Sequence, residues 1–349
     1  MNLKCPLNTL LGYGAASWNI AKALSELGEP VALFPIGQPH LTTYDNELCN
    51  NLIEGRRVVY NKDSASLTIW HEYDLFDCLH GSPSIAFPFF EIDEFDPVRK
   101  KSLNIPDKLF VTSQWGKGVI EQAGIKKAVD VVPLGVDTNI FSPRKSTDEV
   151  YRFFTVGKIE RRKCTDLLPA LLNNAFEKTD NVELHVMCDS PLTQIKQQMP
   201  YFRRAFANSP LGDKIHIHEL KQTDYELASF IQQMDCGIFM TRAEGWGLPI
   251  LQSMACGKPI IVTDYSAQTE FCNSENSSLV HIDEKEPAID NIWFNGQGSW
   301  AAINEGQVDQ CISYMRTMYK DNVKTNTAGI NTANKFTWMN TAKTILKHL

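Results

Sequence analysis

The residues with the most informative types and spacing lie in Met240–Pro259, which reads MTRAEGWGLPILQSMACGKP. An apolar strand pattern ends there, Glu244–Gly247 predicts a turn, and a helix begins with Pro249 in its first turn. Glycines let a backbone approach a ligand closely, and the N–H groups at a helix start favour a phosphate. The Glu244 carboxylate at this turn can accept hydrogen bonds from sugar hydroxyls. These features predict a site with the chemistry of a nucleotide sugar.

The same stretch resembles the E-x7-E donor-site motif of the retaining family-4 glycosyltransferases, which have the GT-B fold. Glu244 matches the first Glu of that motif, and Gln252 stands where the family has the second. The resemblance implies that the second position binds the ribose hydroxyls. A glutamine can still accept one such hydrogen bond and adds two donors, so we expect the departure to affect ribose affinity and nucleotide choice.

A second block, Phe153–Leu168, reads FFTVGKIERRKCTDLL. It is similar to a block of that family in which a strand is followed by Gly-Arg, then by a Lys about five residues later, and then by a helix. The resemblance implies that the residues at the Arg and Lys positions bind the donor diphosphate. Lys158 takes the Arg position and Lys163 matches the Lys. Lysine keeps the charge but loses the bidentate geometry of arginine. Arg161 and Arg162 lie in the same loop and are expected to help.

Two further blocks, Val111–Pro143 and Phe336–Leu349, resemble the end of the family's first domain and its closing helix. Apolar strand patterns alternate with helical ones on both sides of a polar, proline-containing linker at Phe141–Val150, which predicts parallel α/β sheets. The resemblance implies an α/β GT-B fold, with two doubly wound Rossmann-like domains facing each other across a cleft. Residues 1–145 would bind the acceptor, with the helix at 336–349 packing back onto them, and residues 150–335 would bind the nucleotide sugar.

The first half offers its own candidates at predicted strand ends, where α/β sheets bind ligands. Gly12 and Gly14, in LLGYGAAS, resemble a Gly-rich loop under the donor phosphates and the acceptor, or form an ordinary turn. Without a clear strand before it, the pattern argues poorly for NAD. His71 follows LTIW and Glu91 closes IAFPFFE. Each could contact the reacting sugar, and Glu91 could take the acceptor's proton; a solvated histidine and a member of an acidic cluster are the alternatives.

Metal chemistry finds little support in the residue pattern. His216 and His218 alternate in KIHIHEL and face one side of a strand, but no third ligand is evident, which favours an exposed or hydrogen-bonded strand face. The nine cysteines include no CxxC pair, which argues against zinc and favours reduced, buried thiols. The resemblance implies that basic side chains and a helix start stabilise the leaving diphosphate in place of a divalent ion.

The 349 residues carry a formal net charge of −7, which argues against a general nucleic-acid or anionic-membrane binder. We see no signal peptide and no run of about 20 apolar residues, so the sequence predicts a soluble, cytoplasmic protein. Its oligomeric state is not predicted.

The expected activity is a metal-independent hexosyl or pentosyl transfer, with retention, from a nucleotide diphosphate sugar to a hydroxyl. A UDP-sugar is favoured over a GDP-sugar, no cofactor is required, and the acceptor is a glycan, a lipid-linked sugar, a small molecule or a modified base. Glu244, Glu91 and His71 are assigned to catalysis. Substrate binding is assigned to Gly12, Gly14, Lys158, Lys163, Gly245, Trp246, Gly247, Leu248 and Gln252. The alternatives are a non-catalytic nucleotide-sugar-binding protein, a glycosyltransferase acting on a modified DNA base, and an NAD-dependent oxidoreductase.

Overall fold

The computed structural model describes residues 1–42, 45–144 and 149–349. The chain folds into two units, one formed by Met1–Asp137 with Lys335–Leu349 and the other by Thr138–Asn334. Of the predicted linker, residues 145–148 lie outside the described residues, and Phe141 is buried.

Unit 1, the first of these, contains a six-stranded parallel sheet in the order β2-β1-β3-β4-β5-β6. Its strands are β1 Asn2–Asn8, β2 Ala32–His40, β3 Ser66–Thr68, β4 Ser84–Ala86, β5 Lys108–Val111 and β6 Ala128–Val131. Its helices are α1 Gly12–Glu26, α2 Asn46–Val59, α3 Pro97–Leu103, α4 Gln114–Gln122 and, from the chain's end, α11 Trp338–Lys347.

Unit 2 contains a second six-stranded parallel sheet, in the order β12-β11-β10-β7-β8-β9, and a separate antiparallel pair, β13 and β14. The strands are β7 Tyr151–Val156, β8 Val182–Met187, β9 Ile215–His218, β10 Cys236–Phe239, β11 Ile260–Thr263, β12 Ser278–Val280, β13 Lys285–Ile289 and β14 Asn295–Ala301. The helices are α5 Leu168–Ala175, α6 Thr193–Ala207, α7 Asp224–Gln232, α8 Leu248–Ala255, α9 Glu305–Lys320 and α10 Thr327–Ala333.

Both sheets are doubly wound, as predicted. In unit 1 the chain passes from β1 to β2 on one side and then to β3 on the other, and in unit 2 it passes from β7 through β8 and β9 before β10 returns beside β7. Ligands in such sheets bind beyond the carboxyl ends of the strands where the order reverses. The loops after β1 and β3, and those after β7 and β10, are therefore placed to form sites.

Continuous apolar runs explain the central strands of unit 2. Every residue of β10 and β11 is buried, because parallel strands are covered by helices on both faces. Phe153 of β7, Leu184 of β8 and Ile238 of β10 belong to one buried cluster that also includes residues of α5 and α9. The sequence pattern predicts strands at Tyr151–Val156, Val182–Met187 and Ile215–His218 and a helix at Gln114–Gln122, and β7, β8, β9 and α4 have these bounds.

The sequence pattern predicts an N-terminal loop followed by a helix at Ser17–Leu27, and this prediction is wrong for the first residues of the chain. Asn2–Asn8 is β1, which lies between β2 and β3, and α1 begins at Gly12 five residues before its predicted start at Ser17. The half-buried Lys4 and the internal Pro6 hid this strand, because polar residues and proline are unusual in a central strand. The loop Gly12–Gly14 therefore follows a strand, so the absence of a preceding strand no longer argues against a dinucleotide-binding loop. The sequence still differs from the GxGxxG pattern of such loops, because Ser17 stands where the third glycine would be.

Helices α2, α3, α6 and α10 and the β13–β14 hairpin were not predicted from the sequence. All nine cysteines lie within the described ranges, where they are buried and free of disulfide bonds. Among the described residues, each helix is too short or too polar to cross a bilayer.

Candidate active site

Glu244 lies in the loop after β10, beside the loop that follows β7. It is only 5% exposed, and its Oε1 accepts a hydrogen bond from Lys163 Nζ. Its Oε2 accepts from Arg162 Nη1 at 3.3 Å. The two loops that meet where the strand order reverses thus bring together the residue types that the sequence predicted to cooperate.

Arg162 is a central member of this network that the sequence analysis mentioned only as a helper. Its Nη2 donates to Glu160 Oε2 at 3.0 Å, and its Nη1 also donates to the Ala243 carbonyl at 2.6 Å. Lys158 lies further out and forms an ion pair with Glu160 Oε1 at 2.6 Å. The side chain of Lys158 is one-third exposed, whereas that of Arg162 is almost fully buried.

A second carboxylate on the hairpin extends the network. Glu286 of β13 accepts from Arg242 Nε at 2.7 Å and from Arg161 Nη2 at 3.3 Å. Within the ion-paired network, five cations face three carboxylates: Lys158, Arg161, Arg162, Lys163 and Arg242 face Glu160, Glu244 and Glu286. This local surplus, in a chain whose net charge is −7, suits an anionic ligand.

The ionisation of the site follows from its charges. Burial acts to raise the pKa of Glu244, but Lys163 and Arg162 outweigh it and hold that pKa below its ordinary value. The pKa of Glu160 is lowered in the same way, with burial opposed by Arg162 and Lys158. Burial lowers the pKa of Lys163, although its attraction to Glu244 opposes the shift. Both carboxylates are therefore ionised at neutral pH.

The Gly-rich turn forms the start of α8. Gly247 precedes the helix with φ of 95°, and a Cβ added there would lie 2.9 Å from Ile250 Cδ1, so glycine fits this position best. Gly245 is buried, while Leu248 and Gln252 are half-buried and lie one turn apart on α8. The Glu244 amide donates to Ser266 Oγ at 2.8 Å, which fixes the turn against the loop after β11.

Trp246 was assigned to substrate binding, although its place in the motif also suits core packing, and its side chain is 3% exposed. Its ring packs against Phe271 with centroids 4.9 Å apart. The side chain therefore belongs to the core beneath the turn, and the backbone is the part of this residue that remains for a ligand.

In unit 1, Gly12, Gly14 and His71 come together around Tyr13. The Tyr13 hydroxyl donates to the Phe89 carbonyl and accepts from the Phe89 amide, both at 2.8 Å, and its ring lies 4.5 Å from that of His71. A Cβ added to Gly14 would lie 2.0 Å from the Asn8 carbonyl oxygen, whereas Gly12 is exposed with open space.

Burial raises the pKa values of Tyr13 and Glu72, and the charge of the half-buried Glu91 adds a smaller contribution to both shifts. Glu72, which the sequence analysis did not select, is 5% exposed and accepts from Arg99 Nε at 2.9 Å. Burial raises the pKa of Glu72 to about 7, against the opposing charge of Arg99. Its position directly after His71, at a strand end, is the signal that could have identified it.

The acidic cluster after β4 and the histidines of β9 were also considered as possible sites from the sequence. In the acidic cluster of Glu91, Asp93, Glu94 and Asp96, Asp96 caps α3 by accepting a hydrogen bond from the Arg99 amide at 2.8 Å. The sequence offered no third metal ligand beside His216 and His218, and β8 supplies Glu183 and His185 beside His216. The predicted exposed or hydrogen-bonded strand face is confirmed, because His218 pairs with His185 and the half-exposed His216 lies beside Glu183.

Comparisons with known proteins bear on the family and the fold of the chain. The model of the family described as "Glycosyl transferases group 1" matches residues 151–292. The MMP alpha-(1->4)-mannosyltransferase of Mycolicibacterium hassiacum is 25% identical over 175 residues, which are 49% of this chain and 40% of that protein. The D-inositol 3-phosphate glycosyltransferase of Paenarthrobacter aurescens is 25% identical over 170 residues, 46% of this chain and 40% of that protein. The matches thus span less than half the length of these relatives.

Solved structures resemble the whole chain. Sucrose-phosphate synthase from Thermosynechococcus elongatus has a TM-score of 0.74 and 14% identity, and the alignment covers 99% of this chain and 97% of that one. HepE from Anabaena, solved with UDP-glucose, has a TM-score of 0.70 and 13% identity, with 100% and 99% covered. Residues 151–292 therefore resemble a glycosyl transferases group 1 domain, in a chain that has the GT-B fold of two Rossmann-like units.

Proposed function

We propose that the chain is a glycosyltransferase that moves a sugar from a nucleoside diphosphate sugar to an acceptor hydroxyl, with retention and without a divalent ion. The observation that carries this proposal is the buried Glu244–Lys163–Arg162 network beside the start of α8, inside the segment that matches the family model. Residues 150–335 are proposed to hold the donor, and residues 1–145 with 336–349 the acceptor.

Lys158 and Lys163 supply positive charge to the donor diphosphate, together with the amides at the start of α8. Charge grows on the diphosphate as the bond to the sugar breaks, and fixed cations stabilise that state more strongly than they stabilise the intact donor. Such cations do the work that a divalent ion does in other phosphate sites, which supports metal independence.

Glu244 is proposed to accept hydrogen bonds from hydroxyls of the transferred sugar. Lys163 donates a hydrogen bond to Oε1 of this carboxylate. An arriving diphosphate competes for the Lys163 ammonium, so donor binding frees Oε1 for the sugar while Arg162 still compensates the carboxylate charge at Oε2. This exchange of partners links recognition of the sugar to recognition of the phosphates.

Retention is proposed to follow front-face attack, in which the leaving diphosphate takes the acceptor proton and no enzymatic nucleophile is needed. His71 and Glu91 are proposed to contact the reacting sugar or the acceptor. Gln252 is proposed to face the ribose, and UDP to be preferred over GDP, which is supported by the UDP-glucose in the HepE structure.

The test is a donor panel of UDP-glucose, UDP-galactose and GDP-mannose, with and without EDTA. A donor at about a hundredfold excess over its Kd stabilises the fold by about 2.7 kcal/mol, which thermal unfolding detects. Lys163→Met should abolish the shift, whereas Lys320→Met, an exposed lysine of α9, should keep it. NMR of the product should show the donor's anomeric configuration. No response to any donor, or activity that EDTA removes, would contradict the proposal.

A non-catalytic nucleotide-sugar-binding protein is the second candidate, favoured by Gln252 and Lys158 where the family has Glu and Arg. Measurable donor binding combined with complete absence of transfer and of donor hydrolysis would support it over the enzyme.

A further inference from the structure

We propose that the edge of the unit 2 sheet carries a binding site for a divalent transition-metal ion of the zinc class, formed by Glu183, His185 and His216. The ligating atoms of these side chains all lie within 4.8 Å of one another. The site is separate from the proposed glycosyltransfer chemistry, and neither proposal depends on the other.

Strand pairing explains why these side chains meet. β8 and β9 run parallel with His185 opposite His216, and Glu183 lies two residues before His185. Because side chains two residues apart share a face of a strand, Glu183, His185 and His216 project from the same face, and His218 does so as well. The alternating histidines of β9, His216 and His218, therefore lie on the same face of the sheet as Glu183 and His185 of β8.

The distances suit a tetrahedral ion after small rotations. His185 Nε2 lies 3.0 Å from Glu183 Oε2, and His216 Nε2 lies 3.7 Å from Glu183 Oε1. A tetrahedral ion with bonds of about 2.0–2.1 Å keeps its ligand atoms about 3.3–3.4 Å apart. Two imidazoles and a carboxylate favour zinc-class ions over magnesium or calcium, which prefer oxygen ligands.

His218 acts as a positioning residue for His185. Its Nε2 lies 2.9 Å from His185 Nδ1, so one of these nitrogens carries the shared proton. When His185 Nε2 holds an ion, its Nδ1–H can donate to His218 Nε2, and a ligating histidine is typically oriented by such a bond. Phe230 of α7, with its ring centroid 4.9 Å from that of His218, limits the movement of that ring.

Two further features bear on the ion's affinity. Arg152 Nε donates to Glu183 Oε2 at 3.2 Å, which leaves Oε1 on the side of His216 but places a cation nearby and weakens binding. The His216 side chain is 42% exposed, whereas that of His185 is 11% exposed. An ion can therefore enter from the His216 side, and a water molecule can complete its coordination there.

The experiment uses the full chain, treated with EDTA, dialysed and kept reduced, and titrated with Zn²⁺ at pH 7.5 by calorimetry. We expect one ion per chain and a higher Tm of unfolding. His216→Ala should lose the site, because this half-exposed residue can be removed without opening the core. His281→Ala is the matched control, since His281 is exposed and also lies beside a carboxylate, that of Asp283.

His218→Phe should weaken Zn²⁺ binding by about 10–100-fold, the range seen when a histidine ligand loses its orienting partner. Co²⁺ in place of Zn²⁺ should give the visible absorption of a tetrahedral site in the wild-type chain and none in His216→Ala. Absence of stoichiometric Zn²⁺ binding, or equal binding to wild type and His216→Ala, would overturn the proposal. Donor binding by the same preparations reports on the glycosyltransfer site independently.

Discussion

The ion pair between Lys163 and Glu244 gives the sharpest prediction, tested by Lys163→Met, Glu244→Gln and the double variant. The side chains are 14% and 7% exposed, so little solvent screens the pair. Removing one partner of a fully buried pair costs about 3–5 kcal/mol. Arg162 still contacts Glu244 at 3.3 Å, so we expect Lys163→Met to lower the free energy of unfolding by about 2–3 kcal/mol.

Glu244→Gln leaves the Lys163 ammonium beside the like charge of Arg162 without its own carboxylate partner, since Glu160 is paired with Arg162 and Lys158, and we expect a similar loss. The double variant removes both charges, so its loss should be smaller than the sum of the single losses by about 1–3 kcal/mol. Because the chain has two units, the free energy is best measured by hydrogen exchange in urea on peptides from residues 151–292.

The contribution of the Lys163–Glu244 ion pair to the free energy of unfolding should also depend on pH. The lowered pKa of Glu244 means that its contribution is present above the ordinary carboxylate range and is lost as pH falls through its lower folded-state pKa. The difference between wild type and Glu244→Gln should therefore shrink in acid. Strictly additive single losses, together with a pH-independent difference, would refute the reasoning.

Three further predictions concern single positions. Burial raises the pKa of Glu72 in the folded chain to about 7, so its ionisation opposes folding as pH rises from about 4.5 to 7. Over that range the free energy of unfolding of Glu72→Gln should increase relative to that of wild type by up to about 3 kcal/mol, measured by urea unfolding at each pH. Gly14→Ala should destabilise severely, because its Cβ would meet the Asn8 carbonyl, whereas Gly12→Ala should be nearly neutral; the Tm of each variant distinguishes them. Gly247→Ala should cost about 1–2 kcal/mol through its positive φ and should weaken UDP-glucose binding, measured by calorimetry; unchanged affinity would contradict the role given to this turn.

The sequence predicted best what local pattern decides. Apolar runs identified β7, β8 and β10 with accurate starts, and the turn at Glu244–Gly247 was recognised because glycine and proline mark it. Strand β1 was missed because Lys4 and Pro6 interrupt its apolar pattern. A strand such as β1 is stabilised by pairing with and burial between its neighbours β2 and β3, and these contacts exist only in the tertiary fold.

The parts of the candidate sites that were missed depend on distant partners. Arg162 became central because Ala243 and Glu244 come from a loop about 80 residues further along the chain. Glu183 and His216 meet only through the register of two strands. The sequence shows the types of these residues, but the strand register and loop contacts that bring them together are not visible in it. Their contacts could therefore not be predicted.

The return of the chain to unit 1 has a consequence for the order of folding during synthesis. Helix α11 packs against α1, Thr341 Oγ1 donates to the Pro133 carbonyl at 2.8 Å, and Val136 forms a parallel bridge with Thr337. These residues leave the ribosome after all of unit 2. The unit that is translated first therefore becomes complete last, and until then it exposes the apolar surface that Ala342 and Ile345 will cover. Premature termination before Lys335 should leave unit 2 folded and unit 1 prone to aggregation.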